Sequence, residues 1–205
     1  MATRHELSTR AAGVKGRARA ALAGAAGLVA LAACGGGPSY DPEEPRGCPP
    51  VSIVRDAAEV TVFAPGGGRD ATDVVARGGF GGYSGECVYE EEESAVLVDM
   101  SLELLAEQGP AGTGDSVALS YFVAVTDPEG AILDKRVFDA EVPVGPRSGV
   151  GGTREDLSQT IPLERLVEGQ AHRILLGFQL SRDQLEYNRS AAAAAATGGV
   201  PRPAR

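Results

Sequence analysis

The chain has 205 residues, of which 43% are hydrophobic and 23% are charged, and its formal net charge is −9. This length is enough for one domain with a buried core, and the acidic balance argues against nucleic acid or another polyanion as a partner. The core is expected to be mainly aliphatic, because the sequence contains five Phe, five Tyr and no Trp.

Residues 1–33 have the pattern of a signal peptide. Five basic side chains lie between Arg4 and Arg19, and an apolar stretch from Ala20 to Ala33 follows them. That stretch has the length of a signal-peptide apolar region and is too short to cross a bilayer as a helix. It ends in Leu31-Ala-Ala-Cys34, which resembles the lipobox of bacterial lipoprotein precursors. The alternative is an ordinary secretory signal, in which Cys34 has no special role.

The lipobox resemblance implies cleavage before Cys34 and attachment of diacylglycerol, with acyl chains such as palmitate, to its thiol. Two or more chains hold a protein firmly on a membrane, whereas one chain binds reversibly. The next residue is Gly35. In Gram-negative sorting rules an Asp at that position favours the inner membrane, so the periplasmic face of the outer membrane is predicted. Residues 35–47 are rich in Gly, Pro and acids, which predicts a flexible tether.

Cys48 and Cys87 are the two cysteines that remain when Cys34 carries lipid. The cell envelope is an oxidising compartment in which disulfides persist, so a Cys48–Cys87 bridge is predicted. A bridge across a loop of this length stabilises a domain by about 4 kcal/mol in the loop-entropy model. Two free thiols are the alternative.

Alternation of apolar and polar residues with period two predicts a β-rich domain after the tether. The clearest strand runs from Ala95 to Ala106. A second runs from Ser116 to Thr126, and after the turn Asp127–Gly130 the chain returns through Ala131 to Val142, which predicts a hairpin. The other candidate strands are Val51–Val54, Glu59–Phe63, a weaker Val74–Phe80, Glu86–Tyr89, Leu157–Ile161 and Ala171–Leu180.

The C-terminal part of the sequence contains the one predicted helix. Ser181 and Gln184 fit a capping box at the start of a helix over Ser181–Asn188. Residues 190–205 include six consecutive alanines followed by Gly and Pro, and a low-complexity disordered tail is predicted there. Residues 48–189 are therefore predicted to form an antiparallel β-sandwich of immunoglobulin or fibronectin-III type with a short C-terminal helix. A small β-barrel is the alternative.

Two glycine-rich segments and one histidine are candidates for chemistry, but a structural role explains each of them better. Gly66–Gly68 and Gly78–Gly82 match neither a Walker A pattern nor G-x-G-x-x-G, so turns and bulges are predicted there. His172 is the single histidine after Cys34. No G-x-S-x-G serine elbow accompanies it, one histidine is too few ligands for zinc, and an exposed or edge position is expected.

Asp70, Asp73 and the run Glu90–Glu93 are the acids that an enzyme or a cation site would use. Four consecutive Glu residues alternate faces in an extended chain, so they cannot converge on calcium. Asp70 and Asp73 are better spaced for a cation, but they lack further Asp or Asn ligands and a distant bidentate acid. The sequence therefore predicts no catalytic residue, no metal and no cofactor.

Several segments spread over the predicted domain resemble a family of proteobacterial envelope lipoproteins with no assigned activity. The segments are Cys48-Pro49, Pro65–Val74, Cys87–Tyr89, Tyr121–Val125, Ile161–Leu163, Gly177–Leu180 and Tyr187–Arg189. The resemblance covers nearly all of the predicted domain and implies that residues 48–189 form one unit. It assigns no chemistry.

The location and the predicted fold together favour a non-enzymatic binding or scaffolding domain that is held on the membrane through Cys34. An exposed edge strand of such a domain can pair with a strand of an envelope protein partner. The alternatives are a hydrolase of envelope material that uses the carboxylates named above, or a ligand-carrying or inhibitor domain. The ligand-carrying alternative requires an apolar cavity between the sheets.

Overall fold

The computed structural model describes residues 46–66, 68–92 and 94–196. The predicted signal peptide, Cys34 and most of the tether lie outside these residues. The described strands are β1 (Val51–Ile53), β2 (Glu59–Phe63), β3 (Val74–Glu90), β4 (Ala95–Gln108), β5 (Ser116–Thr126), β6 (Ile132–Pro143), β7 (Val150–Pro162) and β8 (Arg173–Phe178). One α-helix, α1 (Arg182–Ala196), follows them, and short 3-10 helices occupy Arg55–Ala57, Ala71–Asp73 and Leu166–Ala171.

The strands form two four-stranded sheets that pack face to face. The strand order is β1-β8-β5-β6 in the first sheet and β2-β3-β4-β7 in the second. Neighbouring strands are antiparallel except β1 and β8, which are parallel. The predicted β-sandwich is therefore confirmed, and the alternative of a closed barrel is wrong.

Alternate residues of the central strands build a single aliphatic core between the sheets. On β4 the inward residues are Val96, Val98, Met100, Leu102 and Leu104, and on β5 they are Val117, Leu119, Tyr121, Val123 and Val125. These are the faces that the alternation predicts. Complete burial of one such aliphatic side chain stabilises a fold by about 1.5–3 kcal/mol, so these two rows account for much of the hydrophobic stabilisation.

Two glycine-rich stretches are longer strands than the sequence indicates. The candidate strands Val74–Phe80 and Glu86–Tyr89 are one strand, β3, with a bulge between Phe80 and Gly82. Strand β7 begins at Val150 and not at Leu157. Gly78 faces the other sheet closely: a Cβ there would lie 2.8 Å from a methyl carbon of Leu119, so a larger residue would need a shift of that side chain. Such glycines weaken the alternation on which strand prediction depends.

Helix α1 begins with the predicted capping box but continues further than predicted. The Ser181 hydroxyl accepts a hydrogen bond from the Gln184 amide (3.2 Å), and the Gln184 side chain accepts one from the Ser181 amide (2.8 Å). The helix then runs through the alanines to Ala196, which differs from the predicted end at Asn188 and from the predicted disordered tail. Alanine has the highest helix propensity, and a docked first turn removes the cost of nucleation. Residues 197–205 lie outside the described residues.

Candidate functional site

Three attachments hold the N-terminal segment 46–51 alongside the second half of β3, which β2 does not reach. The predicted Cys48–Cys87 disulfide is confirmed, with the two Cα atoms 5.7 Å apart. On either side of it, the Tyr89 hydroxyl donates to the Gly47 carbonyl (2.8 Å) and the Tyr83 hydroxyl donates to the Val51 carbonyl (2.7 Å). All three β3 residues occupy odd positions of one strand, so they share a face. The segment is therefore fixed at the point where the chain leaves towards Cys34.

An ionic contact reinforces the attachment at Tyr89. The Arg46 guanidinium lies 5.2 Å from the centre of the Tyr89 ring and 2.8 Å from the Glu91 carboxylate. Burial raises the pKa of Tyr89, and the nearby Arg46 opposes that rise. The Tyr89 phenol therefore stays protonated at neutral pH and remains a hydrogen-bond donor to Gly47.

Helix α1 covers the free edge of β2. The Asn188 side-chain amide donates to the Glu59 carbonyl (2.8 Å) and to the Asp56 carbonyl (3.0 Å). The Gln184 amide donates to the Thr61 carbonyl (3.4 Å). Tyr187 packs edge-to-face on Phe63 with ring centres 5.1 Å apart. Carbonyls that could otherwise accept bonds from another strand are thus already occupied.

Strand β6 ends the first sheet, and among the described residues no strand pairs with its outer edge. The direction of the backbone groups on β6 can be derived from its neighbour β5. The Gln179 amide, just after β8, donates to the Ser120 carbonyl of β5 (2.8 Å), so Ser120 directs its backbone groups to β8. Even-numbered residues of β5 therefore bond to β8, and odd-numbered ones bond to β6. Since Val123 is paired with Arg136, the even-numbered residues of β6 direct their N–H and C=O groups to β5. Lys135, Val137 and Asp139 must then direct theirs to the open edge.

Apolar side chains are exposed along this strand. Ile132 is 63% exposed, and Leu133 and Val137 are each 51% exposed. Lysine commonly protects an edge strand from pairing, but Lys135 is turned back over its own sheet. Its Nζ lies 3.0 Å from the Gln179 side-chain oxygen and 4.5 Å from the centre of the Phe122 ring. Lys135 therefore does not cover the backbone of this edge.

A buried tyrosine lies beneath this edge. Tyr121 is fully buried and stacks on Phe138 of β6, with ring centres 5.4 Å apart. Its hydroxyl has no hydrogen-bond partner of normal geometry among the described residues. Burial, together with the nearby Glu155 carboxylate of β7, raises the pKa of Tyr121 to about 12. The phenol is therefore neutral at physiological pH and is not a poised acid or base.

The acids singled out in the sequence do not converge. Asp70 and Asp73 stabilise a 3-10 turn before β3, where the Asp70 amide donates to the Asp73 carboxylate (3.3 Å). Glu90 ends β3, so this acidic run lies at the other end of the same strand. Glu93 lies outside the described residues. Among the described residues no group of three or more His, Cys, Asp or Glu could hold a metal ion.

His172 is buried, which corrects the expectation of an exposed or edge position. It is 7% exposed and follows the 3-10 helix Leu166–Ala171. Its Nδ1 lies 3.0 Å from the Glu168 carbonyl oxygen, a contact that requires the proton on Nδ1. The carbonyl thereby fixes the ring, and His172 has the geometry of a structural residue.

A shallow open trough of about 620 Å³ lies on the outer face of β3, β4 and β7. Its lining includes the carboxylates of Glu86, Asp99 and Asp156 together with small serine and glycine residues, Met100 and Leu157. His172 precedes β8 in the other sheet. The trough therefore offers polar contacts but no nucleophile, base and orienting acid in the arrangement that acyl transfer requires.

Comparison with protein-family models, with curated proteins and with solved structures finds no match. Within the described part of the chain, no helix has the length and apolar character needed to cross a membrane.

Sequence reasoning found the hairpin that contains β6 but not its position at the end of a sheet. Alternation gives the faces of a strand and carries no information about which strands are neighbours. The attachment of segment 46–51 had a signal, because Tyr83, Cys87 and Tyr89 recur at even spacing on one strand. Their acceptors are backbone carbonyls, which a sequence pattern does not identify.

Proposed function

We propose that this protein is a lipoprotein anchored through Cys34 to the periplasmic face of the outer membrane. We further propose that its β-sandwich is a non-enzymatic binding module. In this proposal a partner strand pairs with the open edge of β6. One observation carries it: within the described residues β6 ends its sheet with the backbone groups of Lys135, Val137 and Asp139 directed to an unpaired edge beside exposed apolar side chains, while α1 covers the edge of β2.

The physical basis is strand addition. Main-chain hydrogen bonds to an edge supply affinity, and side-chain contacts on alternate positions supply specificity. Val137 is half-exposed, and a partner strand that covers it would remove its apolar surface from water, which favours association.

The place where the predicted tether joins the domain supports the same proposal. Segment 46–51 leads into β1, and β1 and β6 are the two outer strands of one sheet. A tether that joins the domain beside β1 leaves the β6 edge at the other end of that sheet, so anchoring and binding would not compete for the same surface.

Fatty-acid labelling in cells tests the anchor. We expect label on the wild-type chain and none on Cys34→Ser, which should appear in the aqueous fraction. An unlabelled wild-type chain would refute the anchor.

Site-specific photocrosslinking in the same cells tests the edge. A benzophenone amino acid at position 137 should give a discrete adduct, and one at Val88, an exposed position on the other sheet, should not. Val137→Pro removes an N–H that faces the edge, so it should abolish an adduct formed from position 133, whereas Val137→Thr should keep it. Equal adducts at 137 and 88 would argue against strand addition.

A further inference from the structure

We propose that the strand that pairs with β6 is β6 of a second copy of this chain. The two strands would run antiparallel about a two-fold axis at Val137. This inference rests on the proposed function, because it uses the same open edge. It adds the identity of the partner and the register.

The backbone permits this register. With the axis at Val137, Val137 faces its own counterpart, and Lys135 faces Asp139 of the second copy. All three residues direct their N–H and C=O groups to the open edge, so each facing pair can form two hydrogen bonds. Moving the register by one residue would place outward groups opposite inward ones. The register also uses the regular part of β6, since the only shift in its pairing with β5 falls between Val125 and Thr126.

The side chains of the outer face are self-complementary. Along β6 they read Lys135, Val137 and Asp139. In an antiparallel pairing of two copies they meet Asp139, Val137 and Lys135, so an apolar pair lies at the axis between two opposite-charge pairs. Opposite charges and β-branched residues directly across from each other stabilise a sheet. An unrelated strand would need this order by coincidence, which is why a second copy is the favoured occupant.

The present contacts of Lys135 and Asp139 allow both residues to pair with a second copy. Lys135 donates to the neutral amide oxygen of Gln179 at 3.0 Å, and a carboxylate is a stronger acceptor than an amide. Asp139 accepts from the Ser120 hydroxyl through Oδ1 at 2.5 Å. Its Oδ2 forms no hydrogen bond within the described residues, so Asp139 can keep Ser120 and accept from Lys135 of the second copy.

The inner face adds a second contact. Arg136 faces Phe138 of the second copy in this register, and a guanidinium over an aromatic ring is attractive. Arg136 now pairs with Asp134 at 3.1 Å, and both side chains are largely exposed, so the pairing does not require breaking a buried ion pair.

Cysteine crosslinking tests the axis. The variants are made in the full chain and examined in the envelope under non-reducing conditions. Val137→Cys should give a covalent dimer of the chain. Glu141→Cys is the matched control on the same face and should give none, because the two copies of residue 141 would be about 27 Å apart. Equal dimer from both positions, or none from either, would overturn the register.

Charge reversal tests the pairing itself, by sedimentation velocity of the full Cys34→Ser chain. Lys135→Asp or Asp139→Lys alone places like charges opposite each other and should weaken dimerisation about tenfold. The double variant Lys135→Asp/Asp139→Lys restores both pairs and should recover wild-type dimerisation. Because a folding defect would not be rescued in this way, recovery supports the proposal. A double variant no better than either single variant would overturn it, as would a wild-type chain that stays monomeric at every concentration.

These outcomes separate the two proposals. A monomeric chain that crosslinks from position 137 to a different protein overturns self-pairing and leaves strand addition standing. A chain that forms no adduct of any kind from position 137 overturns both.

Discussion

On one side of the sandwich the edge strands are covered by other parts of the chain, and on the other side, among the described residues, β6 is not. On one side, α1 donates amide hydrogen bonds to the carbonyls of β2, and a disulfide with two tyrosine hydroxyls fixes segment 46–51 along β3. On the other side, β6 ends its sheet with three exposed apolar residues and a lysine that is folded away from the edge. The difference shows that side chains distant in sequence close the first side, while β6 has no comparable cover within the described residues.

The difference also separates the structural parts of the molecule from the part that can bind. The closed side holds the segment that begins at residue 46 and the helix that ends at Ala196. Segments at the edge of a domain fray unless they are fixed, so these contacts have a structural reason. No such reason applies to the open edge. Three variants, taken from the largest expected effect on stability to the smallest, test this division.

The largest effect is expected from the disulfide. Replacing Cys48 and Cys87 together with Ser removes a bridge across 39 positions of sequence and should lower the free energy of unfolding by about 4 kcal/mol. Urea unfolding of the wild-type and double-variant chains measures this loss. Cys34→Ser is the control and should not change the free energy of unfolding. A double variant as stable as wild type would show that the tyrosine contacts alone hold segment 46–51.

The next effect depends on pH and concerns Tyr121, which is buried beneath β6. Folding raises the pKa of Tyr121 from about 10 to about 12, so the folded state disfavours the ionised phenol. The resulting stability is fully present below pH 10 and is lost as the pH rises through 12, a loss of about 2–3 kcal/mol. Tyr121→Phe should remove this component of the pH dependence while keeping that of Tyr89. Identical pH profiles for the two proteins would contradict the burial of the hydroxyl.

The smallest of the three effects comes from opening the closed edge. Asn188→Asp removes the amide that donates to the Glu59 and Asp56 carbonyls, and it should cost about 1–2 kcal/mol in unfolding free energy. Ser190→Ala on the same helix is the control, because its hydroxyl donates only to the Tyr187 carbonyl within α1. Hydrogen exchange should show faster opening of β2 in Asn188→Asp alone. Unchanged exchange would mean that packing of Tyr187 on Phe63 is enough to cover that edge.

Much of the fold could be predicted from the sequence, and the exceptions have physical causes. Val96 to Leu104 alternate with polar residues, so their strand and its buried face follow directly. Gly78 and Gly151 break the alternation, because they are small where another strand lies close, and both long strands were shortened in the prediction. The predicted helix ends at Asn188 and the observed one at Ala196, because propensity rules for isolated peptides do not include a first turn docked on β2.

The candidate site was less predictable than the fold. Cysteine counting and the expected compartment indicated the disulfide, and both of its residues are confirmed. The open edge could not be located, because it depends on β6 being last in its sheet and on α1 lying over β2 and not over β6. Burial of His172 likewise depends on a turn whose carbonyl, at Glu168, meets the ring. Each of these is a relation between distant segments and leaves no local pattern.

Residue-resolved amide hydrogen exchange of the full Cys34→Ser chain, measured at the lowest usable concentration, tests the open edge most directly. We expect fast exchange for the amides of Lys135, Val137 and Asp139 and slow exchange for those of Arg136 and Phe138, which bond to β5. As the concentration rises and partner strands pair, the three fast amides should become protected. Slow exchange of all five amides in dilute solution would show that the edge is already covered and would contradict the account.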